Sequence, residues 1–512
     1  MKQQKSQLKI GVILNYVNMI LGNLIPIFYT PIMLSLLGQE EYGLYKLSSS
    51  VTSYLSLISF GIGSAVTRYL IKAEQEEGKE AEERMLGLFM SIFRVIAVIS
   101  FVVGTILTLS LDLFYGHSLS SGELERMKLL VFLMVCNMAL NFSQSPYSAV
   151  VTSHERFIFL QCIHIMSTCV GPLLNLVMLL LGFASVGMTI STLILTLVCR
   201  AMLIFYLHRV LEIKPRYRNM PTKALREILA FSFWIFLSNV VNHLYNATDT
   251  VMIGAVPALG TTAVAVYSVG NTFNSIVFSM TTGLSSLLAP KANKMVFSGA
   301  SNEALTSLAI RIGRLQAYIF ALVVTGFIAF GRPFIYFYAG EGYQDAYWVA
   351  ILMMIPNMIP LVQGVCLSII VAQNKHKFRS LVYLGIAIAN VIGTWLLMQV
   401  MGIIGAALMT GIALIIGQGF VMNWYYHKRT GLDMIRFWKE VGRIYLFPAG
   451  LCVCTLLLGR MVDLYRIWAL LAGIVVYTAV YGVLCWMFSM NDYERGMIAG
   501  PLSLIKRKLL HK

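Results

Sequence analysis

The chain has 512 residues, of which 58% are hydrophobic and 12% charged, and its mean hydropathy is +0.75. About 25% charged residues is usual for a soluble domain, so the composition excludes a soluble globular fold and points to an integral membrane protein. The net charge of +16 raises nucleic acid as a partner, a reading that stands or falls on where the charge lies.

At about 1.5 Å per residue, some 20 apolar residues cross a hydrocarbon layer of about 30 Å, and the chain has room for about fourteen such crossings. In chain order they fall near Ile10–Leu36, Tyr42–Ile71, Met85–Leu113, Lys128–Val151, Phe157–Phe183, Gly187–Leu207, Ile228–Val256, Thr262–Leu288, Leu305–Tyr338, Trp348–Ala372, Leu381–Met401, Ile403–Tyr426, Ile444–Leu458 and Ile467–Met490. These runs are long, rich in Leu, Ile and Met, and do not alternate, which excludes a β-barrel. The first follows Lys2, Lys5 and Lys9, exceeds a signal-peptide core in length and lacks a small-residue cleavage pattern, so it is expected to be retained.

A stretch of the chain recurs 222 residues on: Leu37, Gly38, Tyr45, Ser53, Gly61, Ser64 and Lys72 match Leu259, Gly260, Tyr267, Ser275, Gly283, Ser286 and Lys294. Internal symmetry in an apolar chain is typical of secondary transporters. Six crossings separate the copies, and an even number means that both units enter from one side, as parallel repeats about an axis along the membrane normal. The expected organisation is a six-helix unit in residues 1–210, a basic connector in 211–227, a second six-helix unit in 228–428, and two extra helices with a basic tail in 429–512. The fold class is therefore all-α and membrane-spanning, with two parallel repeats and a C-terminal pair.

With both termini inside, and with Arg311 and Arg314 counted as cytoplasmic anchors at the start of span nine, thirty of the 39 Lys and Arg residues are cytoplasmic. This is the positive-inside bias, so the basicity sets topology and nucleic acid is not a partner. Among the soluble segments, Lys72–Arg84 carries six glutamates and reads as a solvated helical link, while Leu502–Lys512 alternates apolar and basic residues and is expected to lie on the anionic leaflet. The eight cysteines form no CxxC pair, the eight histidines show no metal spacing, and no phosphate-binding glycine loop is present. No catalytic constellation, metal site or organic cofactor is read from the chain, and an enzyme is not expected.

The polar residues within the spans are ordered. Asp249 is the one charged residue in 229–290, and an unpaired carboxylate at membrane depth costs about 2.5–3.5 kcal/mol on insertion scales. Asn239, Asn242, His243, Asn246 and Asp249 follow steps of three or four, which places them on one face of a continuous helix. Span one carries Asn15 and Asn18, span two Lys46, Ser49, Ser53 and Ser56, and span eight Tyr267, Asn271 and Asn274. Each set reads either as ties between helices or as the lining of a hydrated cavity, and five aligned groups in span seven favour the lining. Lys46 and Arg68 read either as the cations for an anionic group or as side chains that snorkel to the outer and inner interfaces; Arg311 and Arg314 read as cytoplasmic anchors at the start of span nine.

Leu36–Tyr45 (LLGQEEYGLY), Asp249–Gly254 (DTVMIG), Val264–Ser268 (VAVYS) and Ala372–Phe378 (AQNKHKF) resemble the polysaccharide-transporter branch of the MATE/MOP superfamily, the Wzx-type flippases of lipid-linked oligosaccharides, over about residues 1–430. The resemblance implies two six-helix lobes around an alternately opening cavity in a bacterial inner-membrane protein. It further implies an undecaprenyl-pyrophosphate-linked O-antigen, capsule or exopolysaccharide unit as substrate and coupling to H⁺ or Na⁺. Polysaccharide polymerase and glycosyltransferases become the implied protein partners, beside membrane lipids. MurJ-like lipid II flippases and MATE-type drug exporters are the alternatives. MurJ-like proteins place arginines in their first and eighth spans, whereas this chain has no Lys or Arg between Lys9 and Lys46 or between Arg226 and Lys291.

Overall fold

Hydrocarbon offers no hydrogen-bond partner to a peptide group, so a chain of this composition must satisfy its backbone within helices. In the computed structural model, residues 2–373 and 375–497 are described. Contact density divides the chain into two compact units, Met1–Ser268 and Val269–Lys512.

The first unit contains α1 (Lys2–Leu37), α2 (Gln39–Ser53), α3 (Gly63–Glu77), α4 (Lys79–Leu109), the short α5 (Leu111–Tyr115), α6 (Ser121–Ser153), α7 (Phe157–Leu180), α8 (Ala184–Tyr206), α9 (Ala224–Asn246) and α10 (Thr248–Ala255). The division falls inside α11 (Gly260–Phe297). The second unit continues with α12 (Asn302–Ala339), α13 (Ala346–Val362), α14 (Gly364–Ala372), α15 (His376–Leu414), α16 (Asn423–Arg429), α17 (Met434–Gly442), α18 (Leu446–Leu458) and α19 (Ile467–Leu484).

Among the described residues, twelve helical stretches are long and apolar enough to cross a membrane. One of them, Phe378–Arg429, is 52 residues long and is interrupted at Gly402 (φ 58°, ψ −140°), where the sequence divides spans eleven and twelve. With that division and the 38-residue α11, the count agrees with about fourteen crossings. Starts are fixed by side chains: at α6, the Ser120 Oγ accepts from the Glu123 amide at 3.4 Å while Glu123 Oε2 accepts from the Ser120 amide at 2.9 Å, a capping box.

In the first unit, α4 packs against α6, and α1 runs along α7. Its core joins Leu70, Leu86, Phe89, Phe93, Val150, Leu203 and Ile228. Surfaces turned away from the core are apolar as well: Phe28 is 71% and Leu113 80% exposed, as suits contact with lipid tails.

The acidic segment differs from the solvated link expected of it. Gly78 turns the chain between α3 and α4, and the restart carries Glu82 and Glu83 inward, where both are buried. His154 Nε2 meets the Glu82 carboxylate at 2.9 Å, and Arg216 Nε meets Glu83 Oε2 at 2.6 Å. The connector is thereby docked on α4, with the Arg216 amide donating to the Glu83 carbonyl at 2.9 Å.

The second unit is organised around α12, which packs against α13, α17, α18 and α19. The two C-terminal helices are bound to it by polar contacts as well as by the Phe330, Leu470 and Tyr477 cluster. Tyr477 Oη donates to Thr325 Oγ1 at 2.7 Å, and Tyr481 Oη donates to the Tyr318 carbonyl at 2.6 Å. Arg314, expected as a cytoplasmic anchor, is buried: its Nε donates to Glu494 Oε1 at 2.6 Å and its Nη2 to Glu494 Oε2 at 2.9 Å and the Ser489 carbonyl at 2.8 Å. Glu494 is 2% exposed. Burial alone would raise its carboxyl, but the Arg314 and Asn491 hydrogen bonds outweigh it and hold the group below its ordinary 4.5. The tail Leu502–Lys512 lies outside the described residues.

Two outcomes follow. The Glu82 hydrogen bond, working against burial, raises His154 above its ordinary 6.5, so the contact stabilises fully below that value and is lost as pH rises through the higher folded value. Protection of the α3–α4 turn against hydrogen exchange, taken relative to the intrinsic base-catalysed rate, should therefore fall in alkaline buffer, and His154→Gln should abolish that loss. Glu494→Gln leaves the buried Arg314 charge with only the longer contact to Glu440 at 3.7 Å, at a cost of about 3 kcal/mol. It should lower the melting temperature in detergent and release the α19 end to exchange.

Candidate functional site

Spans two and seven are both broken, and the breaks lie together in the first unit. After α2 the chain tightens into a 3₁₀ segment, Tyr54–Ser59, and then passes through left-handed Phe60 (φ 49°) and Gly61 (φ 70°) before α3 begins. A Cβ at Gly61 would sit 3.0 Å from the Phe236 amide nitrogen and the Ser232 carbonyl oxygen of α9, so the turn and the close helix approach both require glycine. Span seven breaks at Ala247 (φ −110°) and resumes as α10.

Side chains from the two breaks pair. Tyr54 Oη and Thr248 Oγ1 are 2.5 Å apart, and Ser56 Oγ lies 2.8 Å from His243 Nε2. The Tyr54 and His243 rings are 5.8 Å apart. Asp249, 2% exposed in the first turn of α10, accepts from Tyr267 Oη at 2.5 Å. A carboxylate there faces the positive end of the helix dipole. α10 is held in turn by Ser118 Oγ, which donates to the Gly254 carbonyl at 2.8 Å. The result is a polar cluster of Tyr54, Ser56, His243, Thr248, Asp249 and Tyr267.

The five-residue stripe expected on one continuous helix is thus divided. His243 and Asp249 both enter the cluster, but from opposite sides of the Ala247 break. Asn239 is half-buried and Asn242 exposed on α9; Asn246 ends that helix, and its side chain lies outside the described residues. Lys46 is half-buried with Nζ 5.4 Å from the centre of the Tyr42 ring, on α2, against which α10 packs. Arg68 is exposed and stacks on Phe231 at 4.9 Å. Asn15 is exposed, whereas Asn18 accepts from Thr168 Oγ1 at 2.8 Å and ties α1 to α7.

In the second unit, Asn274 donates to Asn271 at 3.3 Å and accepts from Asn357 at 2.7 Å, tying α11 to α13. Tyr54 and Thr248 carried no signal of their own in the sequence, because a lone Tyr or Thr in an apolar helix is unremarkable until the break beside it is seen. Among the described residues, one group has metal-ligand chemistry: Glu74, Glu82 and His154 each place a ligand atom within 4.8 Å of the others, although His154 and Glu82 already satisfy one another as an ion pair.

About fourteen apolar helical crossings with polar side chains gathered at their breaks define the class: a multi-pass membrane protein of the MurJ/MATE fold. The chain belongs to the polysaccharide biosynthesis protein family, whose model matches residues 32–348, in agreement with the motif resemblance. The structure is similar to lipid II flippase MurJ in an inward closed conformation, at TM-score 0.68 and 15% identity over 93% of this chain and 98% of that one. It is also similar to an inward-facing multidrug resistance MATE family transporter of the MOP superfamily, at TM-score 0.62 and 14% identity over 81% and 96% of the two chains. A mutant of the Vibrio cholerae MATE transporter VcmN aligns at TM-score 0.57 and 16% identity over 85% and 99%. No curated protein matches the sequence.

Replacing Gly61 by valine forces a β-branched residue into the left-handed region, a strain of about 1–2 kcal/mol before the 3.0 Å contacts are counted. The variant should melt several degrees lower in detergent, with Gly61→Ala intermediate; thermal unfolding of the purified proteins checks the order.

Proposed function

We propose that the protein is a flippase that moves an undecaprenyl-pyrophosphate-linked oligosaccharide from the inner to the outer leaflet of a bacterial inner membrane by alternating access, in O-antigen, capsule or exopolysaccharide synthesis. The observation that carries this reading is the family match over residues 32–348 in a chain with a transporter fold. Both termini are placed in the cytoplasm by the positive-inside count, and a glycosyltransferase upstream and a polymerase downstream are the partners such a substrate requires.

Lys46 and Arg68 are the cations assigned to the pyrophosphate. A cation about 4 Å from a phosphate at an effective dielectric of about 20 gains about 4 kcal/mol before desolvation. Asp249 is assigned the coupling role: a buried carboxylate at a helix break is suited to exchange H⁺ or Na⁺ with water as the cavity changes sides. Tyr267 holds one of its oxygens in place. Asn239, Asn242 and His243 are assigned to the substrate path in this reading, as are Asn15 and Asn18.

A lipid II substrate is the second reading, favoured by the 93% coverage of the chain in the MurJ alignment. Deletion of the gene separates the two. Loss of surface polysaccharide with accumulation of lipid-linked precursor inside is expected; normal surface glycan, together with rescue of a strain depleted of its lipid II flippase, would establish the second reading in its place.

Asp249→Asn and Lys46→Ala should each slow flipping about tenfold or more, the factor carried by roughly 1.4 kcal/mol, while inserting normally. Fluorescent lipid-linked oligosaccharide flux in proteoliposomes measures this, and wild-type flux in both variants would remove the two residues from the mechanism.

A further inference from the structure

A second polar feature lies far along the chain from Asp249, within the second unit. A cavity of about 640 Å³ is lined by Ser307, Ile310, Arg311 and Arg314 of α12, Arg436 and Glu440 of α17, and Asn491 and Tyr493 beyond α19. Its size falls in the range of about 300–1,000 Å³ usual for small-ligand sites. Three arginines face it against one carboxylate.

The arginines are not equivalent. Arg314 is saturated by Glu494, Ser489 and Tyr318 and serves the fold. Arg436 has only a long contact, 3.7 Å, to the exposed Glu303. Arg311 stacks its guanidinium on the Tyr493 ring, 3.2 Å from the ring centre. Among the described residues it has no carboxylate within ion-pair distance, so its in-plane N–H donors are left to a ligand. A guanidinium held flat on an aromatic ring is preorganised for bidentate binding to phosphate.

The surroundings identify what carries the phosphate. α17 is amphipathic: Met434, Phe437 and Val441 are buried, while Ile435, Arg436 and Lys439 face outward. That is the pattern of a helix lying in the membrane interface. The π-helical turn after α19 exposes Trp486, Met487 and Phe488. Basic walls on α12 and α17, with exposed apolar side chains carried on α17 and on the turn that precedes Asn491, suit a head group whose acyl chains remain in the bilayer.

We propose that this cavity is a binding site for the phosphodiester head group of an anionic phospholipid, with Arg311 and Arg436 as its phosphate ligands. The site is independent of the transported substrate. Its occupant bridges α12 to α17 and so fastens the C-terminal helices from outside, as Glu494 fastens them from within.

Native mass spectrometry and lipid titration of the intact protein in detergent test this, with phosphatidylglycerol and phosphatidylcholine as probes. Phosphatidylglycerol should bind at least about tenfold tighter than phosphatidylcholine, and Arg311→Gln with Arg436→Gln should erase the difference. Arg311→Lys, which keeps charge but loses the fork, should weaken binding while leaving the melting temperature of the lipid-free protein unchanged. Arg126→Gln, in the first unit, should bind as the parent does. Equal binding of the two lipids, or undiminished phosphatidylglycerol binding by the folded double variant, would overturn the proposal. So would geranyl pyrophosphate binding tighter than phosphatidylglycerol at the same arginines, which would make the site one for a prenyl pyrophosphate.

Discussion

The constraint on which the rest depends is that hydrocarbon accepts no hydrogen bonds. A backbone at membrane depth must be helical, and where a helix stops, the freed groups have to be met by protein or water. The α-helices here are interrupted at two sequence-distant places, after Ser53 and at Ala247, and the two interruptions are neighbours. Each supplies what the other lacks: Tyr54 meets Thr248, Ser56 meets His243, and the backbone at Gly61 closes against α9. Asp249 occupies the first turn of α10, where the helix dipole and the Tyr267 hydroxyl both favour a carboxylate. The polar cluster is therefore a consequence of placing two helix breaks side by side.

The same constraint acts differently in the second unit. Burying a guanidinium and a carboxylate costs several kcal/mol each, which is recovered only when their hydrogen bonds are filled. Arg314 fills its own with Glu494, Tyr318 and the Ser489 carbonyl, and Glu494 adds the Asn491 amide. Since lipid tails are as apolar as leucine, α18 and α19 gain little from greasy contact alone, and directional bonds fix their position. Tyr477 and Tyr481 perform that task within the membrane, and Arg314 performs it at the end.

Much of this was legible in the sequence. Hydropathy alone gives the spans, down to the division of the long Phe378–Arg429 run beside Gly402, because a crossing length is set by the bilayer rather than by tertiary detail. Asp249 and His243 were legible because ionisable and amide groups are costly in that setting. The helix breaks were not. Ala247 is a good helix former, and its interruption is decided by the neighbours of Thr248 and Asp249. Arg314 read as an anchor because its partner Glu494 stands 180 residues away, and no local pattern joins them. Glu82 and Glu83 read as solvated for the same reason: their covers, His154 and Arg216, come from distant segments.

The apolar exterior has a consequence for how such a chain changes over generations. A side chain facing acyl tails, such as Phe28 or Leu113, is asked only to be greasy, so Leu, Ile, Val, Phe and Met are interchangeable there at little cost. Substitutions at such positions cost little, so a fold of this kind tolerates wide divergence of sequence, and the fold shared with MurJ at TM-score 0.68 comes with only 15% identity. What resists erosion is the small set of positions where the solvent gives no latitude: a glycine at a backbone crossing, a hydroxyl beside a helix break, an arginine enclosed with its acid. Kinship in this class is better traced through those few fixed points than through the lipid-facing majority.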